Sequence, residues 1–392
     1  MMTIKTLKDL DDLTGKTAIV RVDFNVPLKD GIITDDTRIR ATLSTLRGLL
    51  DKHARIVILS HLGRPKGQAV AEYSLKPIVT ALSDLLEQPV SFTGDCLNDA
   101  VNENIVLMEN LRFYAEEESN DTAFAKKLAA HGDVFINDAF STAHRAHAST
   151  HALAQILPAY AGDLMAREID ALNAALEKPE PPVAAVVGGA KVSTKLAVLN
   201  HLINKTDVLI LGGGMANTFL AAQGYDVGKS LYEPDMLDTA KQIIEAAKEA
   251  NCDLILPQDV VVAAEFKKNA KSRTVPIDEI PADHMALDVG EESIRHIITV
   301  LANCKTVLWN GPMGAFETKP FDVATIAVAQ YVAEQTQNGA MTSVAGGGDT
   351  VAALSVAEAK DKFSYVSTAG GAFLEWIEGK TLPAIAALDN AS

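Results

Sequence analysis

The sequence predicts an α/β protein in two domains, each a mainly parallel sheet flanked by helices, and three observations predict it. The 392 residues exceed what one hydrophobic core supports, roughly 250 to 300. Apolar runs of strand length alternate with stretches of helical spacing, the pattern of βα units and parallel sheets. The apolar runs also end abruptly in polar clusters, rich in Arg and His in the first half and rich in Gly in the second. Ligands of open parallel sheets bind beyond the carboxyl ends of the strands, so the clusters of each half are expected to converge. One half suits a small anion, the other a nucleotide.

In chain order, the first such loop end is RVDFN at 21–25. Residues 37–50 have helical spacing, and IVILSHLGR at 56–64 and IVLMENLR at 105–112 repeat the strand-then-cluster design. A second helical stretch spans 121–130, with Phe124 and Leu128 on one face, before VFINDAFSTAHR at 134–145. Over 163–177, Leu164, Ile169, Leu172 and Leu176 recur about once per helical turn. KPEPP at 178–182 stops that helix, because proline lacks the amide and biases its predecessor toward extended backbone; a domain boundary near residue 180 follows. The glycine-bearing loop ends are VAAVVGGAK at 183–191, VLILGGG at 208–214, TVLWNGPMG at 306–314 and SVAGGGDT at 343–350.

Composition narrows the function classes. A formal charge of −16 and a pI near 5.0 disfavour nucleic acid or an anionic membrane as partner, since either needs an extended basic face. Cys96, Cys252 and Cys304 lie far apart with no metal spacing, which suits buried free thiols in a reducing compartment. The segment MMTIKTLKDL has no apolar core of signal-peptide length, and every apolar run stops well short of about 18 residues. The expectation is a soluble cytoplasmic protein.

The candidate site residues come from the loop ends. Arg38 and Arg40 would lie in the first turn of a helix starting after Asp36, where cations oppose the dipole at a cost of about 0.3–1 kcal/mol each. A pair with Asp35 or Asp36 is the ordinary reading; with three other basic loop ends beside it, Arg38 is expected to face an anion. His61, Leu62, Gly63 and Arg64 follow a strand directly, glycine allowing close approach and arginine offering a planar fork. Arg64, Arg112 and Arg145 occupy matching positions after three strands. Asp23 and Asn25 could bond substrate hydroxyls or cap a strand end. His144, His147 and His151 lack a further ligand at zinc spacing.

In the second half, the glycines at 188–189 and 346–348 offer backbone amides to phosphate oxygens, or form tight turns only. Asp349 adds a carboxylate suited to Mg²⁺ held together with phosphates. Lys191 and Lys195, four apart, share a face if a helix begins there. GYDVGKS at 224–230 resembles a phosphate-binding P-loop but has three residues, not four, between its glycine and GKS; GxGxxG is absent too.

Taken in order, RVDFNVP, TRIRA, SHLGRP, ENLRF, DAFSTAHRAHAS, GGAKVSTK, GGGMANTF, LWNGPMGAFE, AGGGDT and STAGGAF closely resemble the phosphoglycerate kinase family over nearly the whole chain. The resemblance implies two Rossmann-like domains: 1–162 for 3-phosphoglycerate, completed by 372–392, and 183–371 for nucleotide, joined by a hinge helix and linker at 163–182. It implies reversible phosphoryl transfer between 1,3-bisphosphoglycerate and MgADP, giving 3-phosphoglycerate and MgATP in glycolysis, by a monomer. The acid site would comprise Asp23, Phe24, Asn25, Arg38, His61, Leu62, Gly63, Arg64, Arg112 and Arg145. Nucleotide would meet Lys195, Gly212, Gly213, Asn310, Glu317, Gly347, Gly348, Asp349 and Thr350, with Mg²⁺ on Asp349. Arg38, Lys191 and the amides of Gly370 and Gly371 would stabilise the transferring group, and Ala369 stands where the family usually has glycine. The alternatives are a two-domain anion-binding protein and another small-acid kinase of the same fold.

Overall fold

The computed structural model describes residues 4–97 and 103–390. The chain divides into two compact units, one running up to Ile169 and resuming at Thr381, the other Asp170–Lys380. Residues 372–380 therefore group with the second unit, and those from 381 with the first. Among the described residues no helix is long and apolar enough to cross a membrane.

The first unit is built on six parallel strands: β1 (Thr17–Arg21), β2 (Arg55–Leu59), β3 (Ser91–Thr93), β4 (Ile105–Met108), β5 (Val134–Asn137) and β6 (Ala159–Ala161), in the order β3-β4-β2-β1-β5-β6. β1, β4 and β5 are buried at every residue, because helices cover both faces of a parallel sheet and its strands read as unbroken apolar runs. Ala18, Val20, Ile56 and Ile58 join helix residues Leu46, Leu49 and Leu82 in one core. Successive strands leave β1 on opposite sides, so the loops after β1, β2 and β5 open at a switch point of the topology. Arg21, last in β1, is flanked in register by Leu59 and Asn137.

The helix expected over 37–50 is two helices, Thr37–Ala41 and Leu43–Asp51. Thr42 breaks it: its buried hydroxyl donates to the Ile39 carbonyl at 2.9 Å, a side-chain bond that competes with the helical ladder. The helix expected over 163–177 is α-helical only at Asp163–Leu172, and a π-helical turn, Asn173–Glu177, completes it. The stop at KPEPP is as expected, with a cis Pro181–Pro182 bond before the next strand.

The second unit repeats the architecture. Its strands β7 (Val183–Val187), β8 (Val208–Leu211), β9 (Asp253–Ile255), β13 (Thr306–Asn310), β14 (Thr342–Gly346) and β15 (Tyr365–Ser367) form a parallel sheet in the order β9-β8-β7-β13-β14-β15. Between β9 and β13 the chain inserts an antiparallel sheet of β10 (Asp259–Ala263), β11 (Ser272–Pro276) and β12 (Met285–Val289), with β10 in the middle. β7 is the switch point here, so the loops after β7, β8, β13 and β14 share one end of the sheet.

Candidate active site

In the first unit the loops after β1, β2 and β4 and the helix Thr37–Ala41 bring six of the expected residues together. Arg38 Nη1 and the Ser141 hydroxyl both donate to Asp23 Oδ2, while the Asn25 amide donates to Asp23 Oδ1 at 3.0 Å. Asn25 Oδ1 accepts from the Gly63 amide at 2.9 Å, and Arg112 Nη1 donates to the Gly63 carbonyl at 2.8 Å. His61 Nε2 stands 3.9 Å from Asp23 Oδ1. Burial works against ionisation of Asp23, yet the Arg38 charge, the Ser141 hydroxyl and the Asn25 amide help hold its carboxyl below the ordinary range. Burial, reinforced by Arg21, Arg112 and Arg38 against Asp23, holds His61 well below the ordinary imidazole value. The cluster is thus a neutral imidazole and three cations around one carboxylate.

The remaining expected residues fall into two groups. Phe24 and Leu62 have buried side chains, so only their backbones could face a ligand; the Phe24 amide donates to Ser60 Oγ at 2.9 Å. Arg64 and Arg145 extend exposed side chains, and the Arg145 charge is felt at Arg112 and His147. Arg38 pairs with Asp23, while its neighbour Arg40 takes Asp36.

In the second unit Lys195 Nζ donates to Asn310 Oδ1, and Asn310 Nδ2 donates to the Gly346 carbonyl at 2.7 Å. Burial pulls Lys195 down to about 8, opposed by the charges of Asp349 and Glu378. Thr350 Oγ1 accepts from the Gly311 amide at 2.8 Å, tying the loop after β14 to that after β13. Gly347 has φ of 101°, open to glycine, and a Cβ there would stand 2.8 Å from Asn310 Nδ2. Gly212 caps and Gly213 begins the helix Gly213–Ala222, and the Gly213 amide donates to the Met313 carbonyl at 2.6 Å. Gly213, Ala216, Asn217, Leu287 and Met313 line a small cavity beside it. Glu317, Gly348 and Asp349 are exposed.

Lys191 and Lys195 do not share a helix face, a correction to the sequence reading. The helix begins only at Leu196, because the preceding residues turn locally: the Thr194 hydroxyl donates to the Lys191 carbonyl at 2.9 Å, and Glu233 accepts from the Ser193 amide and hydroxyl. Lys191 is exposed on this turn. Ala369 has φ of −93°, an ordinary value for an alanine, and the helix Gly370–Ile377 starts directly after it. A β-carbon at 369 therefore carries no left-handed strain.

Sequence comparison fits this geometry. The phosphoglycerate kinase family profile matches residues 7–380. The chain belongs to the phosphoglycerate kinase family. It is 55% identical to the phosphoglycerate kinase of Methylorubrum extorquens strain PA1, over 99% of both chains. It is 58% identical to that of Ruegeria sp. strain TM1040, over 98% of this chain and 99% of the relative. The phosphoglycerate kinase structure from Coxiella burnetii superposes with a TM-score of 0.95 at 46% identity, and that from Pyrococcus horikoshii OT3 with 0.78 at 31%, each covering 99% of both chains. Family membership makes this chain a phosphotransferase with a carboxyl group as acceptor.

Sequence reasoning assigned no role to Arg21, Ser149 or Glu117, all fully buried behind the first cluster. The available signal was an arginine ending an otherwise apolar strand, a charge that folding must neutralise from elsewhere.

Proposed function

We propose that this chain transfers a phosphoryl group reversibly between 1,3-bisphosphoglycerate and MgADP, giving 3-phosphoglycerate and MgATP, as a monomeric cytoplasmic enzyme of glycolysis. The observation that carries the reading is the Asp23–Arg38–His61 cluster on one parallel sheet in a chain whose other sheet carries Lys195 bonded to Asn310 beside glycine-rich loops. A simple anion binder would have no need of the second set.

In this reading Asp23, Asn25, His61, Arg64, Arg112 and Arg145 hold the acid, with the backbone of Phe24, Leu62 and Gly63. Lys195, Asn310, Gly347, Gly348 and Thr350 hold nucleotide phosphates; Gly212 and Gly213 face the base, and Glu317 the ribose. Asp349 suits Mg²⁺: it is an exposed carboxylate, and among the described residues no three His, Cys, Asp or Glu side chains group as a protein-made metal site. One carboxylate with phosphates and water is the donor set Mg²⁺ favours. Bound there, the ion neutralises charge on the phosphates.

Phosphoryl transfer depends on positioning and on stabilising charge spread over the moving group. Arg38, Lys191 and the amides of Gly370 and Gly371 supply that stabilisation. The accepting carboxylate is already ionised at neutral pH, so no general base is needed. Because the ligand sets belong to different units, transfer requires closure about 163–182, which also keeps water from the acyl phosphate. The test is turnover of MgATP with 3-phosphoglycerate and, separately, with acetate or glycerate. No turnover with 3-phosphoglycerate overturns the reading, and preference for another acid favours a different small-acid kinase.

A further inference from the structure

Behind the acid cluster runs a buried chain of hydrogen bonds that the chemistry above does not use. Glu117 Oε1 accepts from the Ser149 hydroxyl at 2.6 Å, and Glu117 Oε2 from the Ser149 amide at 2.9 Å. Ser149 Oγ accepts in turn from Arg21 Nε at 2.8 Å, and Arg21 Nη2 lies 3.1 Å from His61 Nδ1. Arg21 Nη1 donates to the Val22 carbonyl. Glu117, Ser149 and Arg21 expose no surface at all, and His61 is 3% exposed.

The last link fixes the position of a proton. A guanidinium has only donors and keeps its charge, so a ring nitrogen bonded to it must accept. With Nδ1 accepting, the neutral imidazole carries its proton on Nε2. An imidazolium would set an N–H against the guanidinium, with like charges and no acceptor between them. The Nε2 proton is directed to the Asp23 side of the ring, where Asp23 Oδ1 at 3.9 Å is beyond hydrogen-bond reach.

The same chain explains the buried carboxylate. An arginine with no exposed surface needs a counter-charge, and Arg21 feels both Glu117 and Asp23. Burial pushes the Glu117 carboxyl up, while Arg21 and the two Ser149 donors pull it back. His147 Nδ1 lies 3.8 Å from Glu117 Oε1; burial holds that imidazole down to about 3, so it brings no competing charge.

We infer that Glu117, Ser149 and Arg21 are positioning residues of the acid site, which hold His61 as the neutral Nε2–H tautomer so that it donates one hydrogen bond to the bound acid. The inference rests on the proposed reading of the first-unit cluster as the 3-phosphoglycerate site. The charged groups that face His61 are Asp23, Arg21, Arg112 and Arg38. With Arg21 removed, nothing forces Nδ1 to accept, and one of the three cations opposing protonation is gone.

The test is ¹⁵N spectroscopy of histidine-labelled full-length protein without substrate, followed by kinetics. In the wild type His61 is expected to show Nδ1 unprotonated and Nε2 protonated between pH 6 and pH 8. Arg21→Met is expected to mix the tautomers, and Arg21→Lys, which keeps a donor, to restore the native one. Loss of one positioned hydrogen bond corresponds to roughly a tenfold rise in KM for 3-phosphoglycerate, expected in Arg21→Met and Ser149→Ala with KM for MgATP unchanged. Ser149→Ala removes one hydroxyl only and serves if the arginine variants do not fold. A wild-type His61 protonated on Nδ1, or variants with native tautomer and native KM, would overturn the inference. The tautomer is read with no substrate present, so failure to turn over 3-phosphoglycerate would remove the functional reading separately.

Discussion

Gly188 and Pro312 cross so closely that a β-carbon on Gly188 would stand 1.8 Å from the Pro312 carbonyl oxygen. The crossing joins the loop after β7 to the loop after β13, and the Gly188 amide donates to the Asn310 carbonyl at 3.0 Å beside it. Gly188→Ala must therefore push the two loops apart. Overpacking of this kind costs about 1–3 kcal/mol. We expect a lower denaturant midpoint with unchanged slope, and a raised KM for MgATP because Asn310 holds Lys195. A wild-type midpoint would show that the loops give way freely.

Arg38 is the expected catalytic cation of the first unit. Its Nη1 is bonded to Asp23, yet 39% of the side chain is still exposed, so it can turn to a phosphoryl group. Donors aimed at developing charge are worth about 10²–10³ in kcat. Arg38→Ala should lower kcat by that order and leave the nucleotide Kd nearly unchanged. An unaltered kcat would remove Arg38 from the catalytic role.

Lys195 gives a pH signature. Burial brings its amine down to about 8, and only the protonated form attracts a polyphosphate. As pH rises through that value the free enzyme loses the charge, so KM for MgATP should climb between pH 8 and pH 10. Losing a charge-assisted bond is worth roughly 1.5–3 kcal/mol, or about 10- to 100-fold. Lys195→Met should show the high KM at every pH, with a flat profile. A sloping profile in that variant would assign the titration to another group.

The eight loop ends were legible because a parallel strand buried on both faces is written as an unbroken apolar run, as in VAAVV of β7. The three-residue strands β3, β6, β9 and β15 left no such trace, since three residues carry no period. Within the site, Asp23, Asn25, His61 and Arg112 could be named from position after a strand, and Arg38 from a cation in the first turn of a helix beside other basic loop ends. The burial of Arg21 could not, because its partner Ser149 lies 128 residues away and only the folded sheet brings them together. The lysine spacing misled for a local reason: Glu233, 40 residues on, draws Ser193 into a turn that delays the helix to Leu196.

Asp138 supplies a stability signature at the start of the helix Asp163–Leu172. Its Oδ1 accepts from the Leu164 and Met165 amides at 2.9 and 3.1 Å, and the side chain packs against Gly162, where a β-carbon would stand 2.2 Å from Oδ1. Burial pushes the carboxyl up to about 6, against the helix amides and Thr45 that favour ionisation. An acid whose folded pKa exceeds its unfolded value near 3.8 binds more proton when folded. Its contribution to stability is thus greatest at low pH and falls as pH rises from about 4 to about 6. Asp138→Asn keeps an oxygen for the two amides and removes the titration. The wild type should therefore lose stability relative to Asp138→Asn across that window, by about 1.4 kcal/mol for each tenfold difference in proton affinity between the folded and unfolded chain, with no further divergence above pH 7. Denaturant midpoints of the pair at pH 4.5, 6 and 7.5 measure this directly, and parallel curves would mean that Asp138 is not protonated in the native protein at any of these pH values.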